Sequence, residues 1–356
     1  MSRAWLAMPL VAACASTPPK RELVVWPSPP DVARIRFERA FGATPDIEAP
    51  SFWSKLSDAL FGKSAPSVAL KQPMGVAISD DESRLYIADY GLGKVVLVDF
   101  AEQKMSVFAP DEPMGKVFNV GLDHQESVYV TDVEGVIRVF SRAGEPLRRI
   151  GAGQLKRPTG LAIDRRLGRV YVADRAKGDP NEHRVLAYTL SGEFLFFLGP
   201  KEGEPGSGAN DGSFFFPTYV AVAPDTSEVF VADTLNFRVQ VFDSAGKFVS
   251  KFGSNGDGPG AFQRIKGLAF DAFGNLYVVD GLHSNVQIFN RTHQTLMYFG
   301  GYAKKLEYFD IPSGITIHPK SNRIFVCNEY IARINVYELI NTKPEDSTSH
   351  SAAAGP

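Results

Sequence analysis

The chain repeats one short unit six times, and this repetition constrains its fold more than any other feature. Each copy contains an apolar strand segment that ends in a polar residue, and a well-preserved copy runs from Val229 to Phe242. The six polar end residues are Asp89, Asp132, Asp174, Asp233, Asp280 and Asn328. They follow one another at intervals of 43, 42, 59, 47 and 48 residues. A period of about 40 to 50 residues with several short strands per copy predicts an all-β fold, a six-bladed β-propeller of four-stranded antiparallel blades.

Composition limits the classes of partner. Hydrophobic residues make up 44% of the 356 positions, which suffices for a large core, and the formal net charge is −2. No basic cluster is interleaved with aromatic residues, so the sequence predicts no nucleic-acid partner. The two cysteines, Cys14 and Cys327, lie in different sequence settings, and a disulfide between them is not expected.

The first residues resemble an export signal. A basic residue and a short apolar run precede Leu10-Val11-Ala12-Ala13-Cys14, which resembles the lipobox of bacterial lipoproteins. This resemblance predicts a signal peptide over residues 1–13, lipidation of Cys14 and a lipid-anchored tether over residues 14–33. Ala15 stands where an Asp often retains such proteins at the inner membrane, so the resemblance implies the outer membrane, facing the periplasm. An ordinary signal peptide that contains a Cys is the alternative.

The propeller is expected over residues 34–340, with a strand from the N-terminal side closing the ring. Residues 35–42 alternate like the last strand of later repeats, and the sixth repeat lacks such a strand. Closure would remove exposed sheet edges. Residues 51–62 change to a helical period and predict one short connector helix, or alternatively a helix for a membrane surface or partner. Residues 341–356 are expected to be a disordered tail.

The repeats resemble NHL repeats over about residues 35–340. The matching features are the Asp-ended strand, the segment Asn236-Phe237-Arg238-Val239, and a Gly-rich crossing to the next blade. The basic position of Arg238 is Lys94, Arg184 and Arg333 in three other copies, but Val136 in the second and Asn285 in the fifth. The second, fifth and sixth blades are therefore expected to lack a full Asp–basic pair. The repeated Asp residues are expected to accept backbone hydrogen bonds at a turn rather than to catalyse.

Two insertions interrupt the regular period. One lies in residues 175–183 and the other in residues 200–213. Turns between the second and third strands emerge on the same face as the crossings between blades, so both insertions are expected on one rim over blades three and four. Long loops on a regular scaffold often carry function, although loops also tolerate insertions at little cost. The predicted partner-binding face comprises Tyr90, Arg175, Lys177, Asn181, His183, Phe215, Tyr219, Asn236, His283 and Tyr330.

No enzymatic motif stands out. NHL-like peptide-amidating lyases place metal-binding histidines just after the proline that starts the inner strand. The corresponding residues here are Met74, Thr159, Thr218 and Ser313, so that activity does not carry over. No metal ligand set and no cofactor are predicted. The sequence favours a binding or scaffold platform for a protein, a peptide or an envelope glycan. The alternatives are a hydrolase or lyase with its site at the channel mouth, and a purely structural envelope protein.

Overall fold

The computed structural model describes residues 23–47, 67–175, 178, 182–200 and 205–342. The predicted signal peptide, Cys14, the helix over residues 51–62 and most of the predicted C-terminal tail lie outside the described residues. So do Lys177 and Asn181 of the predicted binding face. Within the described part of the chain, no helix is long and apolar enough to cross a membrane.

Six antiparallel sheets form the blades of a β-propeller. Blade one contains β3 (Pro73–Ile78), β4 (Arg84–Asp89), β5 (Lys94–Asp99) and β6 (Lys104–Val107). Blade two contains β7 (Val117–Leu122), β8 (Val128–Asp132), β9 (Val136–Phe140) and β10 (Pro146–Ile150). Blade three contains β11 (Pro158–Asp164), β12 (Arg169–Asp174), β13 (Arg184–Thr189) and β14 (Phe194–Leu198). The first strand of each blade contacts the first strands of both neighbouring blades, so the ring is closed.

The other three blades follow the same order, and the last one takes strands from both ends of the chain. Blade four contains β15 (Pro217–Val222), β16 (Val229–Asp233), β17 (Arg238–Phe242) and β18 (Phe248–Phe252). Blade five contains β19 (Ile265–Phe270), β20 (Leu276–Asp280), β21 (Asn285–Phe289) and β22 (Thr295–Gly300). Blade six contains β23 (Pro312–Ile317), β24 (Arg323–Asn328), β25 (Arg333–Leu339), β2 (Ile35–Phe41) and β1 (Val25–Trp26). Short helical turns lie at α1 (Thr44–Ile47) and at Thr234–Asn236.

The predicted N-terminal closure is confirmed. Strand β2 pairs with β25 from Ile35↔Leu339 to Phe41↔Ile334, and a register shift between Phe37 and Arg39 breaks its simple alternation. Strand β1 adds a fifth strand, within the segment predicted as a tether. Trp26 anchors this end by packing against the rings of Phe299, Tyr308 and Tyr337. The ordered sheet of blade six therefore begins before the boundary predicted at residue 34.

The core is divided among the blade interfaces. Six apolar clusters are present among the described residues, and each joins one pair of neighbouring blades. For example, Phe41, Val76 and Phe325 belong to the cluster between blades six and one. Because apolar burial is shared around the whole ring, each blade depends on both of its neighbours. Such a scaffold holds the loops at its two ends in fixed positions.

The inner strands approach most closely at their third residue, which is glycine in four blades. These glycines are Gly75, Gly160, Gly267 and Gly314. A Cβ atom on Gly160 would lie 2.4 Å from Cα of Tyr219 in blade four, and one on Gly314 would lie 2.4 Å from the carbonyl oxygen of Met74. Real Cβ atoms do not approach backbone this closely, so glycine is required by packing rather than by a turn. The pattern Pro-x-Gly in three repeats is the sequence signal of this constraint.

Candidate functional site: the axial mouth of the Asp face

The six marker residues define one face of the propeller. Each of them ends the second strand of a blade and lies opposite the first residue of the inner strand, as in Pro158↔Asp174 and Pro217↔Asp233. We call the end of the propeller that carries these residues the Asp face. The turns between second and third strands, and the crossings between blades, all lie on this face.

The buried carboxylates of this face are structural. Asp89 accepts hydrogen bonds from the backbone N–H groups of Lys71 and Gln72, which precede the inner strand, and from Leu92 in its own turn. Asp174 similarly accepts from Lys156 and Arg157. The expected bonds within the turn are therefore present in several blades, and bonds to the preceding crossing are added to them. Each Asp thus fixes the entry of the inner strand next to the propeller axis.

The distribution of Asp–basic pairs differs from the sequence prediction in two blades. Blade two does contain a pair, because Arg138, two positions beyond Val136, reaches Asp132 with an N–O distance of 2.9 Å. In blade one, Lys94 directs Nζ to the carbonyl oxygens of Pro110 and Glu112 instead of to Asp89. Strand pairing explains why Arg138 supplies the cation in blade two. Arg138 pairs with Val130 across the strands, and the corresponding pair in blade four is Gln240 with Val231.

The remaining blades follow the prediction more closely. Arg184 pairs with Asp174 at 2.9 Å, and Arg238 pairs with Asp233 at 2.8 Å. In blade five the basic position is Asn285, but His283 Nδ1 lies 2.8 Å from Asp280. In blade six, Arg333 bonds the Asn335 side chain and the Tyr308 carbonyl oxygen, and Asn328 replaces the carboxylate. Burial raises the pKa of Asp174 and Asp233, against the opposing effect of their hydrogen bonds and paired arginines.

The described residues that flank the two insertions lie on the Asp face: Asp174 and Arg184 at the first, and Gly199 and Ser207 at the second. The second insertion contains fewer extra residues than the predicted range 200–213 indicated. The bridge Ser207↔Phe214 repeats the bridges Asn255↔Phe262 and Tyr302↔Phe309 of the regular crossings. The extra residues therefore fall between Gly199 and Ser207. The rest of the loop is built into the scaffold, since Phe214 is buried and Arg238 donates to the carbonyl oxygens of Asn210 and Ser213.

The centre of the Asp face is basic. Five cationic residues lie at the Asp-face ends of the strands nearest the axis. They are Lys116, Arg157 and Arg264, which directly precede inner strands, Lys266 near the start of one, and Arg175, which follows a marker Asp. One carboxylate, Glu329, lies among them and pairs with Lys266. Gln72 Nε2 donates to the other oxygen of Glu329 at 2.8 Å. We call this group of seven residues, together with Tyr90 and Phe216, the axial mouth.

Two of these cations pack against aromatic rings. The Arg175 guanidinium lies 4.4 Å from the centroid of the Phe216 ring, and Lys116 Nζ lies 5.3 Å from that of Tyr90. Burial, followed by the positive charges of Arg157 and Arg264, lowers the pKa of Arg175 to about 10. The pKa of Lys266 is also lowered, mainly by burial, with Glu329 opposing the shift. Arg175 lies directly beside Arg157, because its backbone N–H donates to the Arg157 carbonyl oxygen at 3.1 Å.

The floor of the axial mouth is closed by Tyr219. This residue occupies the glycine position of its inner strand, and its hydroxyl donates to Asn119 Oδ1 in blade two at 3.2 Å. The backbone of Ile315 in blade six also contacts the Tyr219 hydroxyl, so this side chain links blade four to blades two and six. Burial raises the pKa of Tyr219 well above its usual value. Tyr219 was predicted to contact a partner, but it is only 4% exposed and instead fills the channel.

The other predicted residues fall into four groups. Tyr90 and Arg175 belong to the axial mouth, and Phe215 and Tyr330 are exposed on the Asp face. His183 is 4% exposed, because it packs between the rings of Phe215 and Phe216, so it does not reach the surface as predicted. Asn236 and His283 lie on the predicted face but are engaged in its loops. Asn236 Nδ2 bonds Asp233 and the Gly208 carbonyl oxygen, and His283 contacts both Asp280 and Asp257.

Exposed apolar side chains are concentrated on the Asp face of blades four, five and six. They are Phe215, Leu235, Leu282, Tyr302, Leu306, Tyr330 and Ile331. Among the described residues, the turns of the opposite face expose Val32, Leu167 and Phe273, and the other exposed large apolar residues lie on or beside the outermost strands of the blades. Also within the described residues, no group of three His, Cys, Asp or Glu side chains is arranged to hold a metal ion.

Comparisons with known proteins agree with this architecture. Residues 221–296 match the family described as a 6-bladed beta-propeller. The chain is 27% identical over 149 residues to the protein brain tumor of Drosophila melanogaster, covering 42% of this chain and 13% of that protein. It is 26% identical over 170 residues to NHL repeat-containing protein 3 of Mus musculus, covering 47% of each. The chain is a six-bladed β-propeller with NHL-repeat relatives. It spans less than half the length of these curated relatives.

Solved structures share the fold at low sequence identity. A protein of unknown function from Bacteroides thetaiotaomicron has a TM-score of 0.60 at 18% identity, with 76% of this chain and 70% of that chain covered. Virginiamycin B lyase from Staphylococcus aureus has a TM-score of 0.55 at 13% identity, with coverage of 76% and 96%. At these identities the likeness establishes the fold alone.

Sequence reasoning missed most of the axial mouth. Lys116, Arg157 and Arg264 belong to different repeats and are far apart along the chain, so no local charge cluster marks them. The available signal was positional: a basic residue directly precedes the inner strand in repeats two, three and five. Only the ring geometry brings these positions together.

Proposed function

We propose that this NHL-type propeller is a binding module whose Asp face receives a protein or peptide partner. The observation that supports this proposal best is the concentration of exposed apolar side chains on that face. Tyr330 is 74% exposed and Leu282 is 54% exposed, and they lie in neighbouring blades. Exposed apolar groups on a rigid scaffold favour an interaction surface, and aromatic residues are the usual anchors of protein interfaces. This chemistry favours a protein or peptide over an envelope glycan.

The proposed surface is tested by a matched pair of double variants. Leu282→Ser with Tyr330→Ser should reduce partner capture from native envelope extract at least tenfold, because each side chain buried in a complex contributes roughly 1.5–3 kcal/mol. Leu167→Ser with Phe273→Ser, on the opposite face, is the control and should leave capture unchanged. Captured proteins are quantified by mass spectrometry against the wild-type full chain. The reverse pattern would show that the partner binds the opposite face.

The alternative of a hydrolase or lyase at the channel mouth has a distinct signature. An enzyme would turn over a small substrate without retaining a partner, and its activity would survive the Leu282→Ser and Tyr330→Ser changes. The lyase among the structural neighbours supports only the fold, and the closed floor at Tyr219 limits a substrate to the shallow mouth. We therefore favour the binding module.

We further propose that Cys14 carries lipid and anchors the propeller at the outer membrane, facing the periplasm. The lipobox-like residues 10–14 support this proposal. Cys14→Ser should leave the precursor uncleaved or release the protein in soluble form. Labelled fatty acid should enter the wild-type protein and not the variant, as followed by gel autoradiography after fractionation. A variant that still incorporates lipid and stays with salt-washed membranes would refute lipidation at Cys14.

A further inference from the structure

The axial mouth concentrates positive charge that the described chain does not neutralise. Among the described residues, Arg157, Arg175 and Arg264 make no ion pair with a carboxylate, and the Arg175 guanidinium packs against the Phe216 ring. Glu329 is already engaged by Lys266 and Gln72. Three arginines, at the Asp-face ends of strands in blades three and five, therefore have no anionic partner among the described residues.

This arrangement favours the binding of an anion. The charges of Arg157 and Arg264 act on Arg175, whose surroundings are already partly desolvated. Like charges in a site of low dielectric repel each other, and an anion between them would relieve the repulsion. Guanidinium groups also present planar pairs of N–H donors that match the two oxygens of a carboxylate. The closed floor beneath the mouth keeps such an anion at the surface.

We propose that the axial mouth is a carboxylate-recognition site that binds an acidic residue, or the C-terminal carboxylate, of a peptide lying across the Asp face. This inference rests on the proposed binding function and specifies the chemistry of the partner. The apolar residues of blades four to six flank the mouth, so one peptide can supply both apolar contacts and a carboxylate.

A nucleic acid fits the same site less well. Its phosphate chain needs a continuous basic track, because its affinity comes from neutralising many phosphates in a row. Here the cations are confined to the axis, and the surrounding loops of the Asp face carry carboxylates. These include Glu112, Glu134, Asp257 and Asp310. They would repel a phosphate chain that extends beyond the mouth, whereas a single carboxylate does not reach them.

The test uses calorimetric titration of the full chain with defined peptides. The first probe is Leu-Glu-Phe-Glu-Leu with both ends blocked, and the second is the same peptide with Gln in place of Glu. A third is the Gln peptide with a free C-terminus. We expect the Glu peptide to bind at least tenfold more tightly than the blocked Gln peptide, with affinity falling as salt increases. Recovery of binding by the third probe would identify the terminal carboxylate as the group recognised.

Substitutions in the axial mouth test whether its arginines bind the peptide. Arg157→Gln with Arg264→Gln should reduce binding of the Glu peptide at least tenfold. Arg149→Gln with Lys247→Gln removes the same charge from exposed outer positions and should leave affinity unchanged. Equal unfolding temperatures of the two double variants would confirm that both are folded.

Three outcomes would overturn the inference. They are equal binding of all three peptides, no binding of any peptide, and tighter binding of a six-nucleotide RNA that depends on Arg157 and Arg264. Partner capture by the mouth variant then separates the two proposals. If capture depends on Leu282 and Tyr330 but not on the mouth, the binding function stands and the carboxylate site fails. If capture depends on neither, both fail.

Discussion

Replacing Gly160 with alanine is expected to destabilise the propeller by about 3 kcal/mol, although it adds a single methyl group. The new Cβ would lie 2.4 Å from Cα of Tyr219 and 2.6 Å from the carbonyl oxygen of Thr218. Both contacts are with backbone of the neighbouring inner strand, which cannot rotate away as a side chain can. Relief requires blades three and four to separate at the axis, where the ring is closed.

The matched control is Gly258→Ala. Gly258 lies in an exposed crossing, and a Cβ built there meets no atom within 4 Å. Its effect should stay within about 0.5 kcal/mol, as is usual for surface substitutions. Urea unfolding of both variants, followed by circular dichroism, gives the two free energies of unfolding. A Gly160→Ala protein as stable as the control would mean that the inner strands are less tightly packed than the structure indicates.

The fold was predictable because the repeats carry their information locally. Each copy contains its own alternating strands and a polar residue at the same strand end, so six copies specify six blades without knowledge of distant contacts. Ring closure was predictable for a related reason: residues 35–42 supply the strand that the sixth repeat lacks, and the structure pairs β2 with β25.

The details that failed depend on register. Aligning turns by sequence placed Val136 at the basic position, whereas strand pairing moves the cation to Arg138. The position of Tyr219 was also predicted wrongly. In sequence it follows a proline at the start of a strand and resembles a loop aromatic, but its position is the one at which four other blades need glycine. Only the approach of six strands to one axis shows that its side chain must cross the channel.

The second large effect concerns closure. Deleting residues 34–42 is expected to lower the unfolding temperature sharply and to cause aggregation. Strand β2 buries Ile35 against blade five and Phe41 against blade one, so its loss opens two of the six core clusters. Each lost side chain is worth roughly 1.5–3 kcal/mol, and β25 becomes an unpaired edge that can join other chains.

A single-residue comparison separates closure from general damage to the N-terminal segment. Ile35→Ala removes a side chain that is 0% exposed, whereas Val32→Ala, three residues earlier, truncates one that is 60% exposed. The first change should cost about 2–4 kcal/mol, the range for buried large-to-small substitutions, and the second less than about 0.5 kcal/mol. Thermal unfolding with light scattering measures stability and aggregation together. If both variants and the deletion unfold like the wild type, β2 does not hold the ring closed, and the stability of blade six must come from β23, β24 and β25 alone.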